Sequence, residues 1–307
     1  MKRGLVLGCG GTVGGAWQIG ALAGVEKVLG WDPRTADVIV GTSAGATAAA
    51  MLGAGVGVDE MIAAHRGDEA PRASVRDFCT RPPAARPVLP RGLPSSPPLV
   101  RAGLRSRATL TALAGLAPAG RTNPQFLSAL VDDLVPDGTW VPHPAMWIVA
   151  TDLATGERVA FGAPGRSKPA IGQAVRASWA VPGWYPPVTI EGRSYIDGGA
   201  ASTASADLVT PLALDEVVVI APMASGDGAR VAGVTGAVEA LMRRPMSRRL
   251  DREIGALRDA GTNVVRVHPG AYELAVMGPN FMNPRRRLPA LEVALAQQPG
   301  RLETSWR

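Results

Sequence analysis

The sequence predicts an α/β fold, a three-layer α/β/α sandwich around a mainly parallel central sheet. Two consecutive strand–turn–helix units at the N-terminus and two later buried strands carry that expectation. In the first unit, Leu5-Val6-Leu7 runs into the glycine-rich stretch Gly8 to Gly15 and then into a helical pattern. In the second, Val38-Ile39-Val40 meets Gly41-Thr42-Ser43-Ala44-Gly45 and the small-residue run Ala46 to Leu52. Strand, loop and helix repeated in this way predict a parallel sheet covered by helices. A chain of 307 residues can bury a substantial core. It shows neither a repeat nor an internal boundary, so residues 1–307 are read as one domain.

The first helix is expected from about Ala16 to Leu29, with Trp17, Leu22, Val25 and Leu29 on one side. A second follows the Ser43 turn, and a third spans Asp59 to about Arg66. From about 70 to 119 the character changes to Arg, Pro, Ala and Ser, with Pro82-Pro83, Pro87, Pro90, Pro94 and Pro97-Pro98. The helical pattern vanishes there until around Thr109. This Pro/Arg-rich insertion is either a surface excursion or a flap over a cleft, since long loops in compact domains are often lids. Asn123-Pro124 opens a helix that continues through Leu134. Met146 to Ala150 reads as a strand, with Glu157 to Phe161 beside it across a Thr155-Gly156 turn. A helix over Ile171 to Ala180 precedes the short strand Ser194-Tyr195-Ile196. Val217 to Ile220 and Asn263 to Val267 complete the strands. Helices are expected over Gly236–Arg244, Arg248–Ala260 and Pro284–Gln297.

Composition narrows the function classes. Apolar residues make up 46% and charged residues 19%, which suits a globular chain and not a disordered one. The net charge is +6, almost all of it arginine, because only Lys2, Lys27 and Lys168 are lysines. That balance reflects either attraction to an anionic surface or the codon bias of a GC-rich genome. No run resembles a dedicated basic helix or arm, so no nucleic-acid partner is expected. Cys9 and Cys79 cannot build a disulfide framework. No Cys/His cluster has metal spacing, so neither a metal nor another cofactor is expected. Glycines interrupt the apolar stretch after Met1-Lys2-Arg3, which rules it out as a signal peptide. No segment approaches the roughly 20 apolar residues of a membrane span. The expected location is cytoplasmic, with peripheral contact to an anionic membrane as the use its arginines suggest.

Ser43 sits between a strand and a helix at the apex of a tight turn, the arrangement of a nucleophile elbow. Gly41 and Gly45 let the backbone turn where a side chain would clash. The hydroxyl is thereby held out of the sheet, at the positive end of the following helix. Asp197 ends a short strand, is followed by Gly198 and Gly199, and is a candidate base for the serine proton. An aspartate of ordinary pKa near 4 is a weak base, so burial would have to raise it. The segment around Gly8, Gly10, Gly11, Thr12 and Gly14 exposes successive backbone N–H groups at a helix start. Such donors stabilise an oxyanion. As a dinucleotide loop the segment lacks its third glycine, since Val13 stands there. If the sheet is parallel, the loops after Leu7, Val40 and Ile196 all lie at its carboxyl edge. His268 follows Asp197, so Ser43, Asp197 and His268 also stand in the order of an α/β-hydrolase triad. A catalytically inactive lipid- or nucleotide-binding protein is the remaining alternative.

Together these segments resemble the patatin-like phospholipase family. Leu5 to Gly14 is similar to its glycine-rich oxyanion loop, and Gly41-Thr42-Ser43-Ala44-Gly45 to its elbow. Ala177-Ser178-Trp179-Ala180-Val181-Pro182, followed by Pro186-Pro187, resembles the segment before the family's aspartate, and Asp197-Gly198-Gly199 matches the aspartate motif. The match covers about residues 4–55 and 145–222. The resemblance implies a patatin-like fold and a Ser–Asp dyad without histidine that hydrolyses acyl esters of lipids, phospholipids among them. Ser43 would be the nucleophile and Asp197 the base. Gly10, Gly11 and Thr12 would provide the oxyanion donors, with the Ala44 N–H as a helper. Two departures stand out: Val13 where many members carry Arg or Lys, and Cys9 in place of a glycine.

Overall fold

The computed structural model describes residues 1–81, 86–88, 96–106, 108–226 and 234–306. Strands β1 (Arg3–Leu7) and β2 (Val38–Thr42) are followed by helices α1 (Gly11–Leu29) and α2 (Ala44–Gly53). Helix α3 (Val58–Arg66) comes next, then α4 (Ala73–Thr80), α5 (Pro97–Arg105), α6 (Thr109–Leu116) and α7 (Gln125–Leu134). The chain continues through β3 (Met146–Asp152), β4 (Arg158–Phe161), α8 (Ile171–Ser178), β5 (Val188–Ile190) and β6 (Arg193–Asp197). It closes with β7 (Glu216–Ile220), α9 (Val234–Asp259), β8 (Asn263–Val267), α10 (Ala271–Met277) and α11 (Arg287–Trp306).

Among the described residues the sheet has eight strands in the order β5-β6-β3-β2-β1-β7-β8, with β4 against β3. Strands β3, β2, β1, β7 and β8 run parallel. The side chains of β2, β3 and β7 are buried on both faces, which is why these strands read as apolar runs. One face buries Leu5, Leu7, Ile39, Ile148 and Ile220 against α1 and α2, and α11 packs on α1. The other buries Val6, Val38, Val40 and Val219 against Leu250, Ile254 and Leu257 of α9. Each such side chain contributes on the order of 1.5–3 kcal/mol through burial. The expected α/β/α sandwich is the fold observed.

The strand carrying Asp197 differs from expectation. β6 does not join the parallel set but runs antiparallel to β3. β3 is longer than β2, and its last residues overhang the carboxyl edge. β2 pairs with Met146–Val149 and β6 with Ala150–Asp152, while β4 pairs with Ile148–Thr151. Because β4 overlaps both, β2 and β6 must share the opposite edge of β3, end to end. Thr42 stands opposite Val149 and Asp197 opposite Ala150. The chain after Thr42 and the aspartate therefore meet at consecutive positions along one strand.

The helices depart from the sequence pattern where glycine and proline mislead. α1 begins at Gly11 rather than Ala16, because the glycine loop is itself the first turn. Gly20 in α1 permits close packing: a Cβ there would lie 2.7 Å from the Ala294 Cβ and 2.8 Å from the Leu291 carbonyl of α11. The insertion is more helical than expected. α4 buries Val75 and Cys79, and α5 is capped by Ser96, whose hydroxyl accepts the Leu99 N–H at 3.1 Å with Pro97 at the first helical position. Residues 82–85 and 89–95 of the insertion, including Pro82, Pro83, Pro90 and Pro94, lie outside the described residues. The two helices expected between Gly236 and Ala260 are one, with Pro245 inside it, and α11 likewise contains Pro299.

Candidate active site

Ser43 takes φ 56° and ψ −118° between β2 and α2, backbone angles that cost on the order of 1–3 kcal/mol for a non-glycine residue. Two contacts hold it there. Its N–H donates to the Ser178 hydroxyl at 2.8 Å, and that hydroxyl donates to the Val149 carbonyl at 2.6 Å. Gly45 lets the first turn of α2 lie directly on the end of β1, since a Cβ would collide with the Leu7 carbonyl. Ser43 is 2% exposed and Asp197 5%.

The Ser43 hydroxyl lies close enough to the Asp197 carboxylate to act on its pKa, in the lowering sense. Asp197 accepts the Gly199 N–H at 2.7 Å, and its own N–H is held by the Ala180 carbonyl at 3.0 Å. Burial pushes its carboxyl group up to about 7, against the lowering effect of Ser43 and the Gly199 N–H. Gly198 is required by its surroundings: a Cβ would lie 2.6 Å from the Val149 carbonyl and 2.8 Å from the Thr42 Cγ2.

The glycine loop lies beside them, and its backbone donors divide into two groups. Gly8 donates to Ile220 at 2.9 Å, Cys9 to Thr203 at 2.7 Å, Val13 to Phe281 at 2.9 Å and Gly14 to Gly10 at 2.9 Å. The N–H groups of Gly10, Gly11 and Thr12 have no acceptor among the described residues, and neither has that of Ala44. Gly11 adopts φ +58° with the Phe281 carbonyl 2.8 Å from where a Cβ would sit, so only glycine fits. The residues 278–283 that cover this loop carry no sequence signal of that role. Cys9 lies against Gly199, and burial together with the Asp197 charge pushes its thiol up, which keeps it from competing as a thiolate. Val13 is buried in the core. The cationic group near the loop comes instead from α9: Arg243 donates to the Pro222 carbonyl at 2.8 Å, and Pro222 packs on Gly14.

His268 is not brought to the serine. It follows β8, three strands from β2, which is about 14 Å across the sheet at normal strand spacing. His143 is spent on the Ala36 carbonyl at 2.8 Å and the Ala145 N–H at 3.2 Å. His65 is buried in α3. Among the described residues no group of three His, Cys, Asp or Glu side chains could hold a metal ion.

The sandwich thus brings a serine elbow, a carboxylate on an antiparallel neighbour and a glycine loop together at one edge of its sheet. The family model for patatin-like phospholipase matches residues 5–210, and the chain belongs to that family. The membership supports lipid acyl hydrolase activity. No curated protein matches the sequence. Two crystal structures are similar. VipD from Legionella pneumophila shares 16% identity at a TM-score of 0.44, covering 99% of this chain and 67% of its own. The type III effector protein ExoU also shares 16% identity, at a TM-score of 0.39, covering 99% of this chain and 53% of its own.

Proposed function

We propose that the chain hydrolyses acyl esters through an acyl-enzyme on Ser43, with Asp197 as general base and no histidine in the relay. The meeting of the Ser43 elbow and the buried Asp197 carboxylate at consecutive positions along β3 is the observation that carries this reading. Asp197 takes the serine proton as the oxygen attacks the ester carbonyl, then returns it to the leaving alcohol. In the second half it takes a proton from water, which attacks the acyl-enzyme and releases the acid. The N–H groups of Gly10, Gly11 and Thr12 hold the developing oxyanion, with Ala44 as a helper. Losing one such donor typically costs on the order of 10²–10³ in turnover.

The substrate is read as a phospholipid or related lipid ester reached at an anionic surface. Helices α5 and α6 support that use. Gly103 and Gly115 let them pack closely, and Leu104, Leu113 and Leu116 are 68%, 56% and 52% exposed beside Arg101 and Arg105. Exposed leucines rimmed by arginine suit the headgroup boundary of a membrane. The hairpin is tied to the site through the Thr111 hydroxyl, which donates to the Ala200 carbonyl at 2.8 Å.

The test is turnover of p-nitrophenyl esters by Ser43→Ala and Asp197→Asn, with folding checked by circular dichroism. Both variants should be folded and inactive. Full activity in either one would refute the mechanism.

A further inference from the structure

The glycine loop is pinned at both ends and left open between them. At its far end the Val13 N–H donates to the Phe281 carbonyl at 2.9 Å, and at its near end the Cys9 N–H donates to the Thr203 carbonyl at 2.7 Å. The donors between these anchors, on Gly10, Gly11 and Thr12, are the ones without an acceptor among the described residues. Where they point depends on where the two anchoring carbonyls stand. The fit at the near end is close, since a Cβ on Gly8 would lie 2.9 Å from the Thr203 carbonyl oxygen. Thr203 belongs to neither a strand nor a helix, so no backbone ladder fixes that oxygen.

Glu253 of α9 fixes it instead. The residue is 2% exposed; one carboxylate oxygen accepts the Ser202 hydroxyl at 2.6 Å and the other accepts the Ala206 N–H at 3.0 Å. These two contacts bracket Thr203. The Ser202 hydroxyl oxygen in turn accepts the Ser205 N–H at 2.9 Å, which closes the segment into a turn with Ser205 at φ 61°. Residues 202–206 are buried throughout. A buried carboxylate is costly unless it is paired, and Arg249 donates to Glu253 at 2.8 Å, with Arg158 at 3.4 Å. Asp207 already takes Arg158 through two hydrogen bonds, so the contacts onto 202 and 206 are what set Glu253 apart.

We infer that Glu253 is a positioning residue for the glycine loop. Through Ser202 and Ala206 it holds the Thr203 carbonyl, and through the Cys9 N–H that carbonyl sets the aim of Gly10, Gly11 and Thr12. The inference rests on reading those three as oxyanion donors of a hydrolase acting through Ser43. Glu253 takes no proton in the reaction. Its effect belongs to the tetrahedral state, where the oxyanion forms, and not to ground-state binding.

The test begins with Ser202→Ala, which cuts one link from Glu253 to the segment and leaves its arginine pairs in place. For p-nitrophenyl esters kcat should fall about 10- to 100-fold with KM within about twofold of the parent, because a misplacement of about 1 Å can cost 10²-fold. Labelling of Ser43 by a fluorophosphonate, whose phosphoryl oxygen occupies the same hole, should slow by a similar factor. The pH midpoint of kcat/KM should stay where it is, since Asp197 keeps its surroundings. Glu253→Gln retains one acceptor of the same reach and should lose less than Glu253→Ala. Its effect combined with Ser202→Ala should be smaller than the product of the two, as expected of residues that act through one link. Thermal melts accompany each variant, and Ser202→Ala and Glu253→Gln carry the test if Glu253→Ala does not fold. Lower melting temperatures with kcat and labelling within about twofold of the parent would overturn the inference and make Glu253 a structural residue. A raised KM or a displaced midpoint would overturn it too, by moving the effect to substrate binding or to Asp197. Either result leaves the hydrolase reading standing, whereas a parent that turns over no ester and leaves Ser43 unlabelled would sink both.

Discussion

The Ser178 hydroxyl accepts the Ser43 N–H at 2.8 Å and donates to the Val149 carbonyl at 2.6 Å, which ties the strained elbow to the one strand that both β2 and β6 flank. All three groups are buried, so truncation leaves a donor and an acceptor unpaired. Ser178→Ala should cost about 1–3 kcal/mol of stability. If Ser178 positions the nucleophile, kcat should fall about 10- to 100-fold with KM little changed, because small displacements of a reacting group are expensive. Thermal unfolding and ester kinetics on the same preparation check both. A stability loss with unaltered kcat would make Ser178 a structural residue only.

Asp197 gives the proposed reaction a pH signature. The base is useful only when ionised, and burial places its carboxyl near 7. The kcat/KM profile should therefore rise with pH through about 7 and level off above it. The stability effect has the opposite sense. The carboxyl pKa is higher in the folded chain than its ordinary 3.8, so between about 4 and 7 the folded state keeps a proton that the unfolded chain has lost. Stability from this group is full below about 4 and is lost as pH climbs to 7. Asp197→Asn should thus be inactive yet at least as stable as the parent above pH 7, as thermal melts across that range will report. A flat activity profile from pH 5 to 9 would remove Asp197 from the base role.

Much of this was legible in the residues. β-branched runs between glycine turns fixed the parallel strands, and the Ser43 and Asp197 motifs marked the two groups that the fold brings together. The antiparallel sense of β6 was hidden, because strand direction depends on the overhang of β3 and leaves no mark in Ser194-Tyr195-Ile196. The start of α1 at Gly11 was hidden for a related reason. Glycine argues against a helix locally, yet here Gly11 accommodates the Phe281 carbonyl and Gly20 the Leu291 carbonyl. Likewise Pro97 looked like a breaker, and only the Ser96 cap turns it into a helix start. Glu253 and Ser202 lie 51 positions apart, and nothing short of the fold pairs them.

His268 separates a dyad from a triad. It follows β8, about three strand spacings from the elbow, and the Arg266 and Arg301 charges add to burial in pushing its ring down to about 4. A group already neutral, and that far away, contributes no proton relay to Ser43. His268→Ala should change kcat/KM for p-nitrophenyl esters by less than about twofold. A loss approaching the 10²- to 10⁴-fold expected of a general base would instead reinstate the triad.

Helices α5 and α6 make the last prediction, on how the protein meets its lipid. Leu104, Leu113 and Leu116 stand exposed on a hairpin that also exposes Arg101 and Arg105. Burial of such leucines in a headgroup layer gains about 25 cal/mol for each Å² removed from water, and each nearby arginine adds about 1 kcal/mol on an anionic surface. Replacing Leu104 and Leu113 together by Asp removes the apolar contact and adds charge repulsion. Flotation with phosphatidylglycerol vesicles should then fall at least tenfold, while turnover of a water-soluble ester stays level, because neither leucine touches the site. Binding of the parent should weaken as salt is raised, since the Debye length shrinks from about 10 Å at 0.1 M to about 3 Å at 1 M. Vesicle binding that ignores both the leucines and the salt would place the lipid contact on another face of the molecule.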